Sequence, residues 1–378
     1  MRKATVVIPT VNEAGNIGTL IERIFAVTKK LTNWEFSIVV VDSLSTDGTI
    51  AVVKKAQKKY KNIHLLETKK EGLGKAYVNG FQYALSTIHP FVIFEMDADL
   101  SHDPQDLSPF IHRIEKGADF VVGSRYIAGG SIPADWGLHR KIYSVVGNII
   151  IRLGFMKPKI TDWTGGYRAI KSWIVTSALA HIKNYSGYVF QVALLDWAIK
   201  HQARIEEHPI KFKERLSGVS KINSPQFMLH IFAYIFSNST FIKYVLVGLS
   251  GFAVDFGFAY FFIKSLRLPK ALANSVSAEL AIISNFFLNN FWSFRHKQVQ
   301  GGVFIYLKKL LFFNLVSSGA IIIQGVGIVL TLHFFGDKTI HLFGLGISSW
   351  IIYKVLIIAF IIIPYSYVLY NKFIWKDK

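Results

Sequence analysis

The chain has 378 residues, a formal net charge of +19 and no cysteine, and 51% of its residues are hydrophobic against 18% charged. That length allows two domains. The apolar excess excludes an ordinary soluble enzyme, and the missing cysteines exclude disulfides and thiolate metal sites. A basic protein binds nucleic acid, anionic lipid or phosphorylated substrates. Because the apolar residues concentrate in long stretches after residue 240, we expect the last two partners and no nucleic acid.

The first 212 residues alternate strand-like and helix-like patterns. Short β-branched runs end at Pro9-Thr10, Asp42-Ser43 and Asp97-Ala98-Asp99, and stretches with helical spacing separate them. This alternation predicts an α/β domain whose mostly parallel sheet is flanked by helices, with ligands at the carboxyl ends of the strands. The charged start and the short apolar run after it do not form a signal peptide, so we expect this domain on the cytosolic side.

The residues after 212 are more apolar. The stretch 223–239 has a Ser/Pro start and an aromatic body, which predicts a helix lying in the membrane interface. Four stretches long enough to cross a hydrocarbon core of about 30 Å follow, at 241–263, 272–292, 310–335 and 342–370. The lysines and arginines of the loops favour both ends of the chain in the cytosol. We therefore predict a cytosolic domain over 1–221, an interface helix over 222–240 and a four-span domain over 241–378.

The predicted spans carry a weak internal repeat. Leu288-Asn-Asn-Phe-Trp-Ser-Phe294 ends the second span and Leu369-Tyr-Asn-Lys-Phe-Ile-Trp375 ends the fourth. Two related hairpins explain this pattern, and so do the aromatic and small residues that spans share at their ends and packing faces. Asp255, Glu279 and Lys354 lie inside apolar stretches, where we expect them to pair or to face a polar path, because burying a charge there is costly.

The strongest local signal is the stretch from Phe91 to Leu100, Phe-Val-Ile-Phe-Glu-Met-Asp-Ala-Asp-Leu. Residues two apart on a strand point the same way, so Asp97 and Asp99 can face one cation. Oxygen ligands favour Mg²⁺ or Mn²⁺, which commonly bridge carboxylates and substrate phosphates. Alternatively, the two acids only begin the turn before a helix over 104–116.

Other polar residues follow the strands. Asp42 and Glu13 are candidates to accept hydrogen bonds from a base or a ribose, whereas Asp47 is equally well explained as a helix N-cap. Gly72 and Gly74, with Lys70 beside them, precede a helix. Such a helix N-terminus suits phosphate binding.

Taken together, these segments resemble the family 2 glycosyltransferases, which have a nucleotide-binding GT-A fold. The stretches 122–126 (Val-Gly-Ser-Arg-Tyr), 136–144 (Trp-Gly-Leu-His-Arg-Lys-Ile-Tyr-Ser) and 162–169 (Asp-Trp-Thr-Gly-Gly-Tyr-Arg-Ala) look like the polyprenyl-phosphate mannose synthase branch. The resemblance covers residues 4 to about 221. It implies that Arg125, Arg140 and Ser144 hold the acceptor phosphate, whose oxygens a guanidinium fork matches. From spacing alone, the arginines could instead pair with acids of the same domain.

The resemblance also implies the remaining site residues. Asp99, Arg125 and Arg140 are the expected catalytic residues, and Asp97, Asp99 and Ser101 the expected metal ligands for Mg²⁺ or Mn²⁺. The expected nucleotide-sugar contacts are Pro9, Thr10, Glu13, Asp42, Lys70, Gly74, Asp97, Arg215 and Lys221. Arg215 and Lys221 belong to a basic stretch that anionic lipid could attract as well. The sequence departs from the family pattern at Thr10, Ser43 and Ser101, which leaves the base contacts and the metal ligation open.

The membrane half resembles the GtrA-like domain through Phe241-x-x-Tyr-Val-Leu-Val-Gly248, Asp255 and the stretch 285–294. The combined resemblance implies a multi-pass membrane enzyme that transfers a hexose, foremost mannose from GDP-mannose, to dolichyl or another polyprenyl phosphate with inversion. A UDP-glucose-dependent enzyme acting on the same acceptor is one alternative, and a lipid carrier or flippase with a vestigial transferase domain is another. A processive polysaccharide synthase is disfavoured, because its Gln-x-x-Arg-Trp signature does not occur in the chain.

Overall fold

The computed structural model describes residues 1–185, 187–213, 224–342 and 345–376. The chain divides into two compact units, Met1–Ile235 and Phe236–Lys378, and each is described by itself. Arg215 and Lys221, two of the predicted nucleotide-sugar contacts, lie outside the described residues.

The described part of the first unit contains one seven-stranded sheet, with the strand order β3-β2-β1-β4-β6-β5-β7. Its strands are β1 (Arg2–Thr10), β2 (Trp34–Asp42), β3 (Ile63–Glu67), β4 (Val92–Glu95), β5 (Phe120–Ser124), β6 (Arg168–Lys171) and β7 (Ile205–Pro209). β6 runs antiparallel to both of its neighbours, and the other pairings are parallel. The prediction of a mostly parallel sheet is confirmed.

Helices cover both faces of this sheet. They are α1 (Ala14–Thr28), α2 (Thr49–Lys59), α3 (Leu73–Tyr83), α4 (Leu107–Glu115), α5 (Leu138–Gly154), α6 (Ser172–Ile182), α7 (Gly187–Lys200) and α8 (Ser224–Asn238). Val6 and Ile8 of β1 pack with α1 and α4 in one core, whereas Val7 faces α3 on the other side. Because both faces are buried, the central strands are almost continuously apolar. The predicted interface helix corresponds to α8.

The helix α8 is attached to the first unit through Tyr234. Its buried hydroxyl donates a hydrogen bond of 2.9 Å to the Asp196 carboxylate of α7, and the same carboxylate oxygen accepts one of 2.7 Å from Lys200. We expect Tyr234→Phe to lower the free energy of unfolding by about 1.5–3 kcal/mol, because a hydrogen bond to a charged group is lost in a buried place. Thermal unfolding followed by tryptophan fluorescence measures this. The exposed Tyr143 provides the control, since Tyr143→Phe should change almost nothing.

The second unit has four helices long and apolar enough to cross a membrane among its described residues. They are span one (Thr240–Lys264), span two (Lys270–Ser293), span three (Val303–Phe335) and span four (Ser349–Ile374). The first two agree with the prediction within two residues. The third begins at Val303, seven residues earlier than predicted, because Gly301 and Gly302 mark the start of the helix. The fourth begins at Ser349, seven residues later, because the strands Thr339–Leu342 and Leu345–Ser348 pair antiparallel before it.

The internal repeat has a structural counterpart. Spans two and four both end in a five-residue π-helical turn, Asn289–Ser293 and Tyr370–Ile374. The residue after each turn donates its amide to the carbonyl five positions earlier, Phe294 to Asn289 and Trp375 to Tyr370. The rings of Phe294 and Trp375 then stack on each other, with centroids 4.2 Å apart and planes 2° apart. These matching ends favour the hypothesis of two related hairpins.

The carboxylates within the spans bind polar neighbours on adjacent helices. Asp255 of span one accepts a hydrogen bond of 2.5 Å from Ser277 of span two. Glu279 of span two accepts one of 2.6 Å from Asn314 of span three. These contacts agree with the helix-packing interpretation of both acids.

Candidate functional site

Several of the predicted site residues, among them Thr10, Asp42, Asp97 and Asp99, lie at or just after the carboxyl ends of β1, β2 and β4. Three non-glycine residues at this edge have left-handed backbone conformations, Asn12 (φ 58°), Leu44 (φ 58°) and Leu100 (φ 62°). Leucine adopts this conformation only at a cost in energy, and such residues cluster where a site constrains the backbone. Three loops of unusual geometry therefore meet at the edge where ligands bind in α/β sheets.

Asp42 is fully buried at the end of β2, and its carboxylate accepts hydrogen bonds from residues of the same domain. One carboxylate oxygen accepts hydrogen bonds from Thr10 Oγ1 (2.8 Å) and Ser45 Oγ (2.6 Å), and the other accepts from the Ser45 amide (2.8 Å). Thr10 and Asp42 also face each other in the β1–β2 register. The structure thus brings the two predicted nucleotide contacts together, and they bind each other. Whether they also bind a base or ribose stays a prediction.

Asp47 ties together the starts of two helices. It accepts hydrogen bonds from the Thr49 amide, at the start of α2, and from the Ala14 amide, at the start of α1. The N-cap residue of α2 is Gly48, so Asp47 binds the helix start from one position before the predicted N-cap. Glu13 precedes α1 and accepts a hydrogen bond of 2.9 Å from Asn16 of the same helix. The predicted role of Glu13 as a nucleotide ligand is untested.

The two acids of the D-x-D sequence lie in the loop after β4. Asp99 is buried and accepts hydrogen bonds from the Ser101 amide (3.1 Å) and from Ser101 Oγ (2.6 Å). Asp97 accepts a bond of 3.3 Å from the Tyr77 hydroxyl on α3. Ser101, predicted as a metal ligand, thus lies beside Asp99 with its hydroxyl donated to it.

These contacts allow the fit of a divalent cation to be judged. Asp97 and Asp99 offer only oxygen donors, the type that Mg²⁺ and Mn²⁺ prefer. The described residues contain no group of three or more His, Cys, Asp or Glu side chains able to hold a metal ion. A cation here would need further oxygens from water or a substrate diphosphate, which is how Mg²⁺ is usually held. The residues fit a substrate-bridging cation.

His102 was not identified from the sequence. Its buried ring stacks on Tyr167 at 4.8 Å, and Nδ1 accepts a hydrogen bond of 3.1 Å from the Asp97 amide. Burial lowers the pKa of His102 to about 4, against the opposing effect of Asp99 and with a contribution from Arg125. The ring is therefore neutral at physiological pH and fixes the backbone of the D-x-D loop. Its only signal in the sequence was its position five residues after Asp97.

A layer of buried polar side chains lies beneath Asp97. Glu95 and Arg168 are both fully buried, with Nε and Oε2 3.8 Å apart, and they are paired in the β4–β6 register. Burial raises the pKa of Glu95 to about 7, although Arg168 opposes this. Arg168 also donates to the backbone carbonyls of Trp163 (2.8 Å) and Gln191 (2.7 Å). It thereby holds the 163–167 loop against α7.

Arg125 forms a buried ion pair directly after β5. Its Nε and Nη2 donate to the two oxygens of Asp162, each at 2.7 Å, and Nη2 also donates to Thr164 at 3.0 Å. Asp162 is completely buried and further accepts from the Gly165 amide. Burial raises and Arg125 lowers the pKa of Asp162, with a net decrease that keeps it ionised. Arg125 thus pairs with an acid of the same domain, which was the alternative interpretation of the sequence. Its predicted role in binding the acceptor phosphate stays a prediction.

Arg140 and Ser144 lie on the first turns of α5. The Arg140 guanidinium stacks on the Trp136 ring at 3.8 Å. Trp136 packs edge-on against Phe212 at 5.8 Å, and Arg125 lies 5.7 Å from the same Phe212 ring. Two aromatic rings thus bring the two predicted phosphate-binding arginines to one place. Ser144 Oγ joins this group through a bond of 2.5 Å to the Tyr126 hydroxyl, the residue after Arg125.

The outer face of α5 is apolar and exposed. Leu138, Ile142, Ile149 and Leu153 recur at intervals of four, seven and four residues, and between 42% and 74% of each is exposed. Residues at these spacings lie on one face of a helix. The same helix therefore carries a guanidinium near its start and an unburied apolar stripe along its length.

Gly72 (φ 95°) directly precedes α3, with Lys70 two residues before it and Gly74 two residues after it. Lys70 is exposed in the loop, and Gly74 is buried in the first turn. Their placement agrees with a phosphate-binding helix N-terminus. Pro9 is half-buried near the end of β1.

Comparisons with known proteins identify the chain's relatives. Residues 5–174 match glycosyl transferase family 2, and residues 243–375 match the GtrA/DPMS transmembrane domain. The dolichol-phosphate mannosyltransferase of Pyrococcus furiosus is 32% identical over 329 residues, which are 85% of this chain and 88% of that protein. The chain belongs to the family 2 glycosyltransferases with a GtrA/DPMS transmembrane domain. The prediction of a GT-A glycosyltransferase domain followed by a membrane domain is confirmed.

Two further similarities complete the comparison for this glycosyltransferase. The polyprenol monophosphomannose synthase of Mycolicibacterium smegmatis is 35% identical over 224 residues, 59% of this chain and 82% of that protein. Among solved structures, a mannosyltransferase of Pyrobaculum calidifontis in complex with GDP-Man and Mn²⁺ is similar over 77% of this chain and 88% of that one, with 17% identity and a TM-score of 0.42.

Proposed function

We propose that this glycosyltransferase moves mannose from GDP-mannose onto a polyprenyl phosphate such as dolichyl phosphate. The observation that supports this proposal most strongly is that α5 carries both Arg140 and Ser144 near its start and an exposed apolar stripe along its length. The two features lie on different faces of α5, so Arg140 and Ser144 support binding of an anionic acceptor, and the apolar stripe supports contact of the helix with a lipid surface. The names of the two relatives, a dolichol-phosphate mannosyltransferase and a polyprenol monophosphomannose synthase, support the same acceptor class and the same sugar.

The acceptor supplies its own nucleophile. A phosphate monoester has a second pKa near 6, so at neutral pH its oxygen is already largely ionised and needs no general base. We therefore assign this chain's residues to binding and alignment rather than to proton removal. Arg140 and Ser144 would hold the acceptor phosphate, and Arg125, fixed by Asp162, would face it in one orientation. Attack on the anomeric carbon from the side opposite the diphosphate gives inversion.

The donor would bind at the carboxyl ends of β1, β2 and β4. Asp97 and Asp99 would hold a Mg²⁺ or Mn²⁺ ion, which, when bound, neutralises charge on the departing diphosphate. The start of α3, with Lys70 and Gly74, would bind phosphate oxygens. We place this site on the cytosolic side of the membrane, as the distribution of loop charges predicts.

The test is a transfer assay on the full chain purified in detergent. The protein is incubated with short-chain dolichyl phosphate, MnCl₂ or MgCl₂, and labelled GDP-mannose or labelled UDP-glucose, and the label in the organic phase is counted. Metal-dependent label from GDP-mannose supports the proposal. Label from UDP-glucose alone would keep the acceptor and change the donor. A lack of lipid-linked label from either donor would overturn the proposal and favour a lipid carrier.

Arg140 allows a test of acceptor binding. We expect Arg140→Lys to raise the KM for dolichyl phosphate about 30-fold, because losing one charge-assisted hydrogen bond costs about 2 kcal/mol and lysine cannot reproduce the guanidinium fork. The KM for GDP-mannose should stay unchanged. Arg152→Lys is the matched control, since Arg152 lies on the same helix and binds the Pro158 carbonyl. Equal increases in the KM for dolichyl phosphate and the KM for GDP-mannose would argue against a role of Arg140 in acceptor binding.

A further inference from the structure

The Tyr77 side chain reaches from α3 to the D-x-D loop. It is fully buried, its ring stacks parallel to Phe190 at 5.9 Å, and its hydroxyl donates to Asp97 Oδ1 at 3.3 Å. A tyrosine hydroxyl keeps its proton at neutral pH, so it acts as a donor towards Asp97.

The helix that carries Tyr77 cannot easily shift. Gly80, one turn further along α3, is so close to the sheet that a Cβ there would collide with Val7 of β1 and lie 2.9 Å from Val41 of β2. Contacts this close leave no space between helix and strands. The close packing of α3 on the strands therefore fixes the position of the Tyr77 hydroxyl at the carboxyl end of the sheet.

The same helix begins at the predicted phosphate-binding residues. Its first residue, Leu73, follows Gly72, and Gly74 lies in its first turn. One rigid element thus presents its N-terminus to the donor site and its fifth residue to Asp97. A change in the position of α3 moves both contacts together.

We propose that Tyr77 is a positioning residue that orients the Asp97 carboxylate towards the divalent cation and the nucleoside diphosphate. This inference rests on the proposed function, since it assumes that Asp97 binds the cation. Partners that hydrogen-bond a metal-binding carboxylate orient it, and removing one typically weakens metal binding by about 10- to 100-fold. Tyr77 would have the same role for Asp97, from a helix 20 residues earlier in the chain.

The experiment compares Tyr77→Phe with Tyr83→Phe in the full chain in detergent. Both tyrosines lie on α3, and each hydroxyl has a hydrogen-bond partner, but that of Tyr83 is His64 Nδ1 at 3.0 Å. Isothermal titration calorimetry measures GDP binding with and without MnCl₂, and electron paramagnetic resonance measures free Mn²⁺, from which the bound metal follows by difference. Phenylalanine preserves the ring stacking on Phe190, so Tyr77→Phe removes only the hydroxyl.

We expect Tyr77→Phe to weaken Mn²⁺ binding in the presence of GDP about 10-fold, while GDP binding without metal stays as in the wild type. Tyr83→Phe should match the wild type in both. Unchanged Mn²⁺ binding by Tyr77→Phe overturns the inference and leaves the proposed function standing. An equal loss of GDP binding with and without metal also overturns it, because that pattern indicates a general structural defect. Wild-type protein that binds neither GDP nor Mn²⁺ would overturn the proposed function itself.

Discussion

Asp99→Asn is expected to lower the rate of mannosyl transfer about 10³-fold, the size of effect seen when one preorganised charge-stabilising group is removed. Asparagine keeps an oxygen that can accept the two hydrogen bonds from Ser101. The turn should therefore survive while the negative charge is lost. The expected effect is thus on cation binding and not on folding. The measurement is initial-rate transfer from GDP-mannose at a fixed Mn²⁺ concentration that just saturates the wild type, with the melting temperature recorded for the same sample.

Asp119→Asn is the matched control for this prediction. Asp119 is also an aspartate beside the sheet, but it precedes β5 at the opposite edge and pairs with Lys171 at 2.8 Å. Its substitution should leave the transfer rate within about twofold, because weakening a partly exposed ion pair changes stability by at most about 1 kcal/mol. An Asp99→Asn variant that retained most of its activity would show that the D-x-D sequence serves only as a turn.

Arg125→Met is expected to lower the free energy of unfolding by about 3–5 kcal/mol, because it leaves the Asp162 carboxylate buried without its counter-charge. In this ion pair, 7% of the Arg125 side chain is exposed and the Asp162 side chain is completely buried. Urea or thermal unfolding of the full chain, followed by tryptophan fluorescence, measures the loss. Arg140→Lys should show no comparable loss. The two arginines are thus expected to differ, one in folding and the other in acceptor binding.

Arg113→Met is the control for burial. Arg113 pairs with Glu206 at 3.1 Å, but 33% of its side chain and 23% of that of Glu206 are exposed. Such pairs are worth about 0–1 kcal/mol. Equal destabilisation by Arg125→Met and Arg113→Met would contradict the claim that burial determines the free energy lost when an ion pair is broken.

Much of the fold could be predicted because its signals are local. The runs that end at Thr10 and Asp42 are β-branched and apolar on both faces, which is typical of buried parallel strands. The Ser/Pro start and aromatic body located α8, and the length of the apolar stretches located the first two spans. The start of span four could not be predicted, because Leu345–Ser348, directly before it, is a strand paired with Thr339–Leu342, and hydropathy does not distinguish an apolar strand from a span.

The partners within the site were harder to predict than its members. Asp97 and Asp99 were recognisable from spacing, but Tyr77 and His102 were not, since a buried tyrosine or histidine near a strand gives no periodic signal. The same holds for the Arg125–Asp162 pair, whose members are 37 residues apart. Which acid pairs with which arginine depends on the antiparallel strand β6 and on the loop before it. This order of strands cannot be predicted from any local sequence pattern.

The π-helical turns at the ends of spans two and four control the direction in which the next side chains point. A π turn contains one residue more than an α turn over a similar rise. If the same five residues, Asn289–Ser293, continued with ordinary α-helical bonding, the one residue in excess of an α turn would rotate the next side chains by about 100° around the helix axis. Phe294 would then point away from Trp375. Each π turn thus sets the direction of the aromatic ring that follows it, and the stacking of Phe294 on Trp375 depends on both turns.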